Sequence, residues 1–191
     1  ELFEFLEEKS LQYNKPEFIE SDPISIPHNF NRKEDIEIAG FITAIISWGQ
    51  RKTIINNARK LIQRMDNSPY DFISNSTEND FKAFRNFKHR TYNETDCIYF
   101  LKSLKNIYKN QGGLENVFND DFSGKQNMEK VFWGIKHFRE IFFSLPHPAR
   151  TEKHVSDPEK GSSAKRLNMF LRWMVRKWDC LTPTSTVRAS L

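Results

Sequence analysis

A chain of 191 residues is long enough to bury one substantial core, either as a single domain or as two small halves sharing a cleft. Its two cysteines, Cys97 and Cys180, are too few for a disulfide framework, a four-cysteine zinc site or the four thiolates of an iron–sulfur cluster, so no metal or other cofactor is expected. The formal charge of +4 is unevenly spread: residues 1–149 hold 20 Lys/Arg against 21 Asp/Glu, whereas residues 150–191 hold 9 against 4. A basic segment on a neutral body suits either a polyanionic partner or a solvated basic helix.

No run approaches the ~20 apolar residues of a membrane span, and the opening ELFEFLEEKS is acidic and amphipathic rather than a signal sequence, so a cytoplasmic protein with no membrane partner is expected. The chain begins at Glu1 rather than Met, which reads as a sequence lacking its first residues. With 17 phenylalanines, 7 glycines and few alternating Val/Thr runs, the composition predicts an all-α fold with little or no sheet.

A first helix near residues 1–12 leads into NKPEFIESDPISIPHNF, where three prolines exclude continuous helix. His28 in that connection reads as a surface or hydrogen-bonding group. Asn31 is a candidate N-cap for a helix whose stripe is Ile38, Phe41, Ile42, Ile45 and Ile46, ending near Trp48-Gly49. After the GQRK turn, Ile54, Ile55, Ala58, Leu61, Ile62 and Met65 repeat at helical spacing and close a helical hairpin. Further helices are predicted at about 69–74, 78–87, 95–109 (closed by Gly112-Gly113) and 127–145. Lys88-His89-Arg90, after the aromatic run, caps a helix C-terminus or contacts phosphate.

Residues 146–163 form a Pro- and Ser-rich loop into a last helix at about 163–177. On a helical wheel Lys165, Asn168, Arg172 and Arg176 share one face, and Leu167, Phe170, Leu171, Met174 and Val175 share the other. Cations projecting from a helix N-terminus, after small residues that free backbone N–H groups, make a sensible phosphate site; the bland alternative is a solvated face. Lys153 and His154, just ahead, either line the same cleft or sit in an exposed loop. The expected organisation is one unit over residues 1–177, with interleaved halves: a helical core at about 31–145, and a hairpin with its basic helix at about 150–177. Residues 178–191 read as an atypical tail.

The stretch G-S-S-A-K-R-L resembles the hairpin signature G-[IV]-G-x-K-T-A of endonuclease III-like glycosylases, with Gly161, Ser163 and Lys165 in register and Ser in place of the second glycine. GFITAIISWGQRKTIINNARKLI is similar to that superfamily's A-x-[IL]-L-S-x-Q-T segment and the helix after it, with Ser47 and a displaced Gln50 as the matching polar residues. More closely, DPISIPHNF, EDIEIAGFITAIISWGQRKTII, NSPYDFI, FKHRTYN and KRLNMFLRWMVR resemble an uncharacterised bacterial family, common in Bacteroidetes, grouped with the helix-hairpin-helix DNA glycosylase superfamily.

The resemblance implies a helix-hairpin-helix glycosylase-like helical fold and duplex DNA, intact or damaged, as partner. It implies that the hairpin Gly161-Ser162-Ser163 holds a phosphate, that Arg166, Arg172, Arg176, Lys153 and His154 support it, and that Ser47 and Gln50 belong to the lesion pocket. Lys165 would be the nucleophile of a glycosylase/AP lyase, attacking the sugar C1′ of a flipped nucleotide to form a Schiff base. In that bacterial family the chain continues past the arginine-lysine with an acidic, aromatic stretch and then a P-L-D-x-H motif, whose aspartate sits where glycosylases place their catalytic carboxylate. Here the chain runs WDCLTPTSTVRASL, and Asp179 is the only carboxylate after Lys165, so the fold reads as C-terminally truncated and the enzyme as incomplete. The alternatives are a non-catalytic DNA- or RNA-binding module and a helical interaction protein.

Overall fold

The central element follows from one hydrophobic run. Helix α3 (Lys33–Ile45) is buried at every residue from Glu37 to Ile45, so neighbours surround it on all sides rather than on one stripe. In the computed structural model, which describes residues 2–13, 16–119 and 127–175, these neighbours are α4 (Arg51–Gln63), α5 (Pro69–Asn75) and α9 (Lys165–Val175). Around them stand α1 (Leu2–Tyr13), α2 (Pro16–Glu20), α6 (Glu94–Asn110), α7 (Leu114–Phe118) and α8 (Asn127–Phe142). Two two-residue antiparallel strands, β1 (Lys88–His89) and β2 (Tyr92–Asn93), form a hairpin. The described chain is predominantly helical, as composition predicts, and one hydrophobic cluster runs from Ile24 to Trp173.

Phe41 is the centre of that cluster. Its ring lies 5.9 Å from Phe100 of α6, 5.4 and 5.6 Å from Phe138 and Phe142 of α8, and 5.6 Å from Phe170 of α9. Most of these contacts are edge-on or tilted, the arrangement that sets each ring's positive edge against a negative face. Gly40, one residue earlier, lets α9 approach closely: a Cβ there would stand 2.9 Å from Met174 Cε and 3.6 Å from the Phe170 ring.

Several element boundaries differ from those the sequence suggests. Helix α3 is preceded by extended Arg32 rather than capped by Asn31, and the Arg32 guanidinium bonds Asp71 at 2.9 Å and Glu34 at 3.2 Å while lying 4.1 Å over the Tyr70 ring. The helix stops at Ile45, three residues short of Trp48. Residues 78–87 make only a tight 3-10 turn at Asp80–Phe84, because the Asp80 carboxylate accepts from both the amide and the hydroxyl of Thr77 (2.7 and 2.8 Å); Phe81, Phe84 and Phe87 are buried as expected. The Lys88-His89-Arg90 triplet is not a helix cap: it belongs to β1 and the tight turn after it. Short α7 follows the left-handed pair Gly112-Gly113 and buries Leu114, Val117 and Phe118. Among the described residues no helix is long and apolar enough to cross a membrane.

Truncating the central ring removes contacts to three helices at once. Phe41→Ala is expected to cost about 3–5 kcal/mol in urea-unfolding free energy and Phe41→Leu markedly less; equal costs would show that ring packing is not what centres the core.

Candidate nucleic-acid interface

The site grows from the C-terminal end of α3. The chain leaves the helix through Ile46 and Ser47, whose hydroxyl donates back to the Thr43 carbonyl at 2.7 Å, and turns at Gly49 with φ of +108°. Only glycine suits that turn: besides the left-handed backbone, a Cβ would stand 2.8 Å from Arg90 Nη1 of the β-hairpin. The half-buried Trp48 ring between them is held on several sides. His89 meets it edge-on at 5.0 Å, His154 stacks at 5.9 Å with 23° between planes, and the Arg166 guanidinium lies 4.7 Å from its centroid.

Each of these groups is fixed by a second contact. Arg166 Nη1 donates to the Ile45 carbonyl at 2.6 Å, satisfying one of the acceptors left open at the end of α3. His89 is buried, with Asn57 Nδ2 2.9 Å from Nδ1 and the Trp48 carbonyl 3.2 Å from Nε2. The neutral Nε2–H tautomer satisfies both contacts, and burial lowers the pKa of His89 accordingly.

His154 leads to the most deeply buried charge. Asp96, fully buried at the third position of α6, completes a capping box by accepting from the Asn93 amide at 3.0 Å. It also accepts from Arg150 Nη1 at 2.8 Å and Thr151 Oγ1 at 2.9 Å, and His154 Nε2 lies 3.2 Å away. Arg150 further donates to Asn93 Oδ1 and the Thr91 carbonyl. The 3-10 turn Ala149–His154 is thereby fastened to the start of α6 and to the β-hairpin. Burial pushes the His154 pKa down to about 4, a shift that Asp96 opposes and Lys153 and Arg166 reinforce, so the imidazole is neutral at pH 7.

The turn that leads into α9 is built next. Asp157 Oδ1 accepts from the Glu159 amide at 3.0 Å, starting the turn Pro158–Lys160 that Gly161 ends at φ +77°. Ser162 Oγ accepts from the Ala164 amide at 3.2 Å, and Asn168 Nδ2 donates to the Ser163 carbonyl at 2.9 Å. The left-handed positions are Gly161 and Ala164 (φ +44°), not Ser163, so serine in the place of the signature's second glycine carries no backbone strain. Nothing lies within 4 Å of where a Gly161 Cβ would stand, and Gly161, Ser162 and Ser163 are exposed. Helix α9 begins at Lys165.

The expected site residues therefore separate into two groups. Gly161, Ser162, Ser163, Lys165, Arg172 and Lys153 are exposed, with Lys165 and Arg172 on the outer face of α9. Lys165 makes no hydrogen bond or ion pair among the described residues. His154 and Arg166 point inward and hold the Trp48 loop. Ser47 is committed to Thr43, while Gln50 is exposed at the N-cap position of α4 and makes no side-chain cap. Arg176 and Asp179 lie outside the described residues.

Asp96, Arg150 and Trp48 escaped the sequence reading. The only trace is the spacing of Arg150, Thr151 and His154, one turn of a helix in a Pro-flanked segment. A cavity of about 330 Å³ lies against α4, lined by Asn29, Arg59, Gln63 and Asn67 among others. No group of three or more His, Cys, Asp or Glu among the described residues could hold a metal ion. Burial pushes the Cys97 thiol up to about 12, which leaves it unreactive.

The helical core, the buried Asp96 network and the hairpin all fall within residues 22–181, which match the family described as "Protein of unknown function (DUF2400)". The chain belongs to that family. No curated protein and no solved structure matches it.

Two predictions follow from the buried network. Asp96→Ala removes the ion-pair partner of Arg150 and the acceptor of Thr151 and is expected to cost about 3–5 kcal/mol, read by urea unfolding; a loss under 1 kcal/mol would mean that the network carries no weight. His154 has a native pKa below its unfolded value of 6.5, so between pH 6.5 and about 4 the unfolded chain binds the extra proton. Stability should fall as pH drops through that window, by up to about 3 kcal/mol from this group, and level off below it. Melting temperatures from pH 7 to pH 4 should show the slope, reduced though not abolished in His154→Gln, because His28 and His89 are also shifted down.

Proposed function

We propose that the chain binds duplex DNA as a helix-hairpin-helix protein of the glycosylase superfamily. The observation that carries this reading is the exposed hairpin Gly161–Ser163, open on the glycine side and running directly into the N-terminus of α9. The first amides of α9 have no partner within the helix, and with the helix dipole they favour an anion. Lys165 and Arg172, seven residues apart on one face, supply cations beside them.

Base excision with Lys165 as nucleophile and Schiff-base former rests on the resemblance. Lys165 stands in solvent with no carboxylate bonded to it among the described residues, so the geometry favours binding over chemistry. A protein of this class that excises bases would flip its target nucleotide; here the Ser47 hydroxyl is bonded to the Thr43 carbonyl and Gln50 is exposed.

Fluorescence anisotropy with a labelled duplex at a series of salt concentrations tests the binding. Lys165→Gln/Arg172→Gln should weaken affinity and flatten the slope of log K against log salt by up to about two units, near one per lost phosphate contact. An unchanged slope removes α9 from the interface, and no binding by the parent at low salt leaves a helical interaction protein. Borohydride with abasic duplex separates the chemistry: the 191-residue chain should trap little covalent adduct, and abundant trapping that Lys165→Gln abolishes would replace the binding module with a lyase.

A further inference from the structure

The net charge of residues 1–149 conceals a sorted surface. Helix α4 contains Arg51, Lys52, Arg59 and Lys60 and no carboxylate in 13 residues. Ile54, Ile55, Ala58, Leu61 and Ile62 face the core, and Lys52, Asn56, Arg59, Lys60 and Gln63 are exposed. Those five positions fall within roughly 100° of arc and span about 16 Å along the helix. Like charges so arranged repel one another, and a merely solvated helix gains by interspersing acids among its bases.

The protein does pair its cations elsewhere. Arg32 bonds Asp71, Lys33 bridges Glu37 and Glu115, Lys102 bonds Glu78, Lys136 bonds Glu159, and Arg150 bonds Asp96. Lys52, Arg59 and Lys60 form no ion pair among the described residues, although they are exposed and long enough to reach one. Two more cations without an ion pair among the described residues adjoin them. The β-hairpin lies along the flank of α4, tied by Asn57 to His89 and by Arg64 over the Phe87 ring, with exposed Lys88 on its first strand and Arg90 at its turn. Arg90 leans on Gly49, two residues ahead of α4. The surface is also concave, because Arg59 and Gln63 line the cavity of about 330 Å³.

We propose that the outer face of α4, together with the turn of the β-hairpin, is a second contact surface for the phosphate backbone of duplex DNA, separate from the hairpin and α9. The proposal extends the binding function above. Lys52, Arg59 and Lys60 meet phosphate oxygens, the neutral amides of Asn56 and Gln63 add hydrogen bonds between them, and Arg90 extends the row past the start of the helix. A run of about 12 Å from Lys52 to Lys60 matches three to four nucleotides of one strand at 3.4 Å each.

The test compares three variants of the whole chain by anisotropy with the same labelled duplex over a salt series, each checked for native melting temperature. Lys52→Gln/Arg59→Gln/Lys60→Gln is expected to flatten the log K against log salt slope by about two to three units. The control Lys9→Gln/Lys102→Gln/Lys136→Gln removes equal charge from paired positions, Lys9 lying 3.6 Å from Glu8, and should leave the slope close to the parent's. If the α4 triple variant behaves like the control while Lys165→Gln/Arg172→Gln flattens the slope, α4 is a solvated face and only the α9 interface stands. If the α4 variant flattens it and the α9 variant does not, α4 is the interface and the hairpin reading falls. A parent chain that binds no duplex at low salt overturns both.

Discussion

The Asp96 carboxylate is the constraint on which the rest of the molecule depends. A fully buried charge is tolerated only if its oxygens are matched, and here the local Asn93 amide and, from one turn more than fifty residues away, the Arg150 guanidinium and the Thr151 hydroxyl converge on it. Such a network adds little net stability compared with a well-packed apolar one. Its value lies in register, because Arg150 and Thr151 fit Asp96 in one arrangement only, which places the 149–154 turn against α6. From there the order continues through His154 to the Trp48 ring and through Arg166 to the start of α9. The exposed hairpin is thus mounted on a chain of fixed polar and aromatic contacts rather than suspended in a loop.

This mounting also explains why the basic and imidazole side chains near the start of α9 divide into two kinds. Arg166 and His154 act inward, one on the carbonyl that ends α3 and the other beneath Trp48, and they hold the frame. Lys165 and Arg172 act outward. A helical wheel separates the apolar side of α9 from its polar side, but Arg166, one step round from Lys165, lies at the boundary, and only the position of α3 decides which way it turns.

The long helices were legible in the sequence because burial on one side leaves a repeat in α4, α6 and α8, while α3, buried all round from Glu37 to Ile45, is marked by a near-continuous apolar run. The start of the last helix, within two residues, and the burial of Phe81, Phe84 and Phe87 were equally readable. What was not legible depended on distance or shortness. The partnership of Asp96 with Arg150 spans 54 residues and leaves no local pattern. A five-residue α7 is too short for a period, and the 3-10 turn at 80–84 is dictated by one aspartate competing for backbone and side-chain donors. The charge of α4 disappeared into an average over residues 1–149, since acids elsewhere on the chain cancel it in a sum and not in space.

Ala164 adopts φ +44° while 2% exposed, a conformation that L side chains avoid at a cost of about 1–2 kcal/mol. The fold imposes that strain as soon as Leu167 and Phe170 seat α9 in the core, before any partner arrives. The entropy of shaping the turn is therefore lost during folding and not during association. In the binding proposed above, an anion approaching Ser162 and Ser163 would meet backbone already in its final form, so recognition by this turn would resemble a key entering a cut lock more than a strand folding around its target.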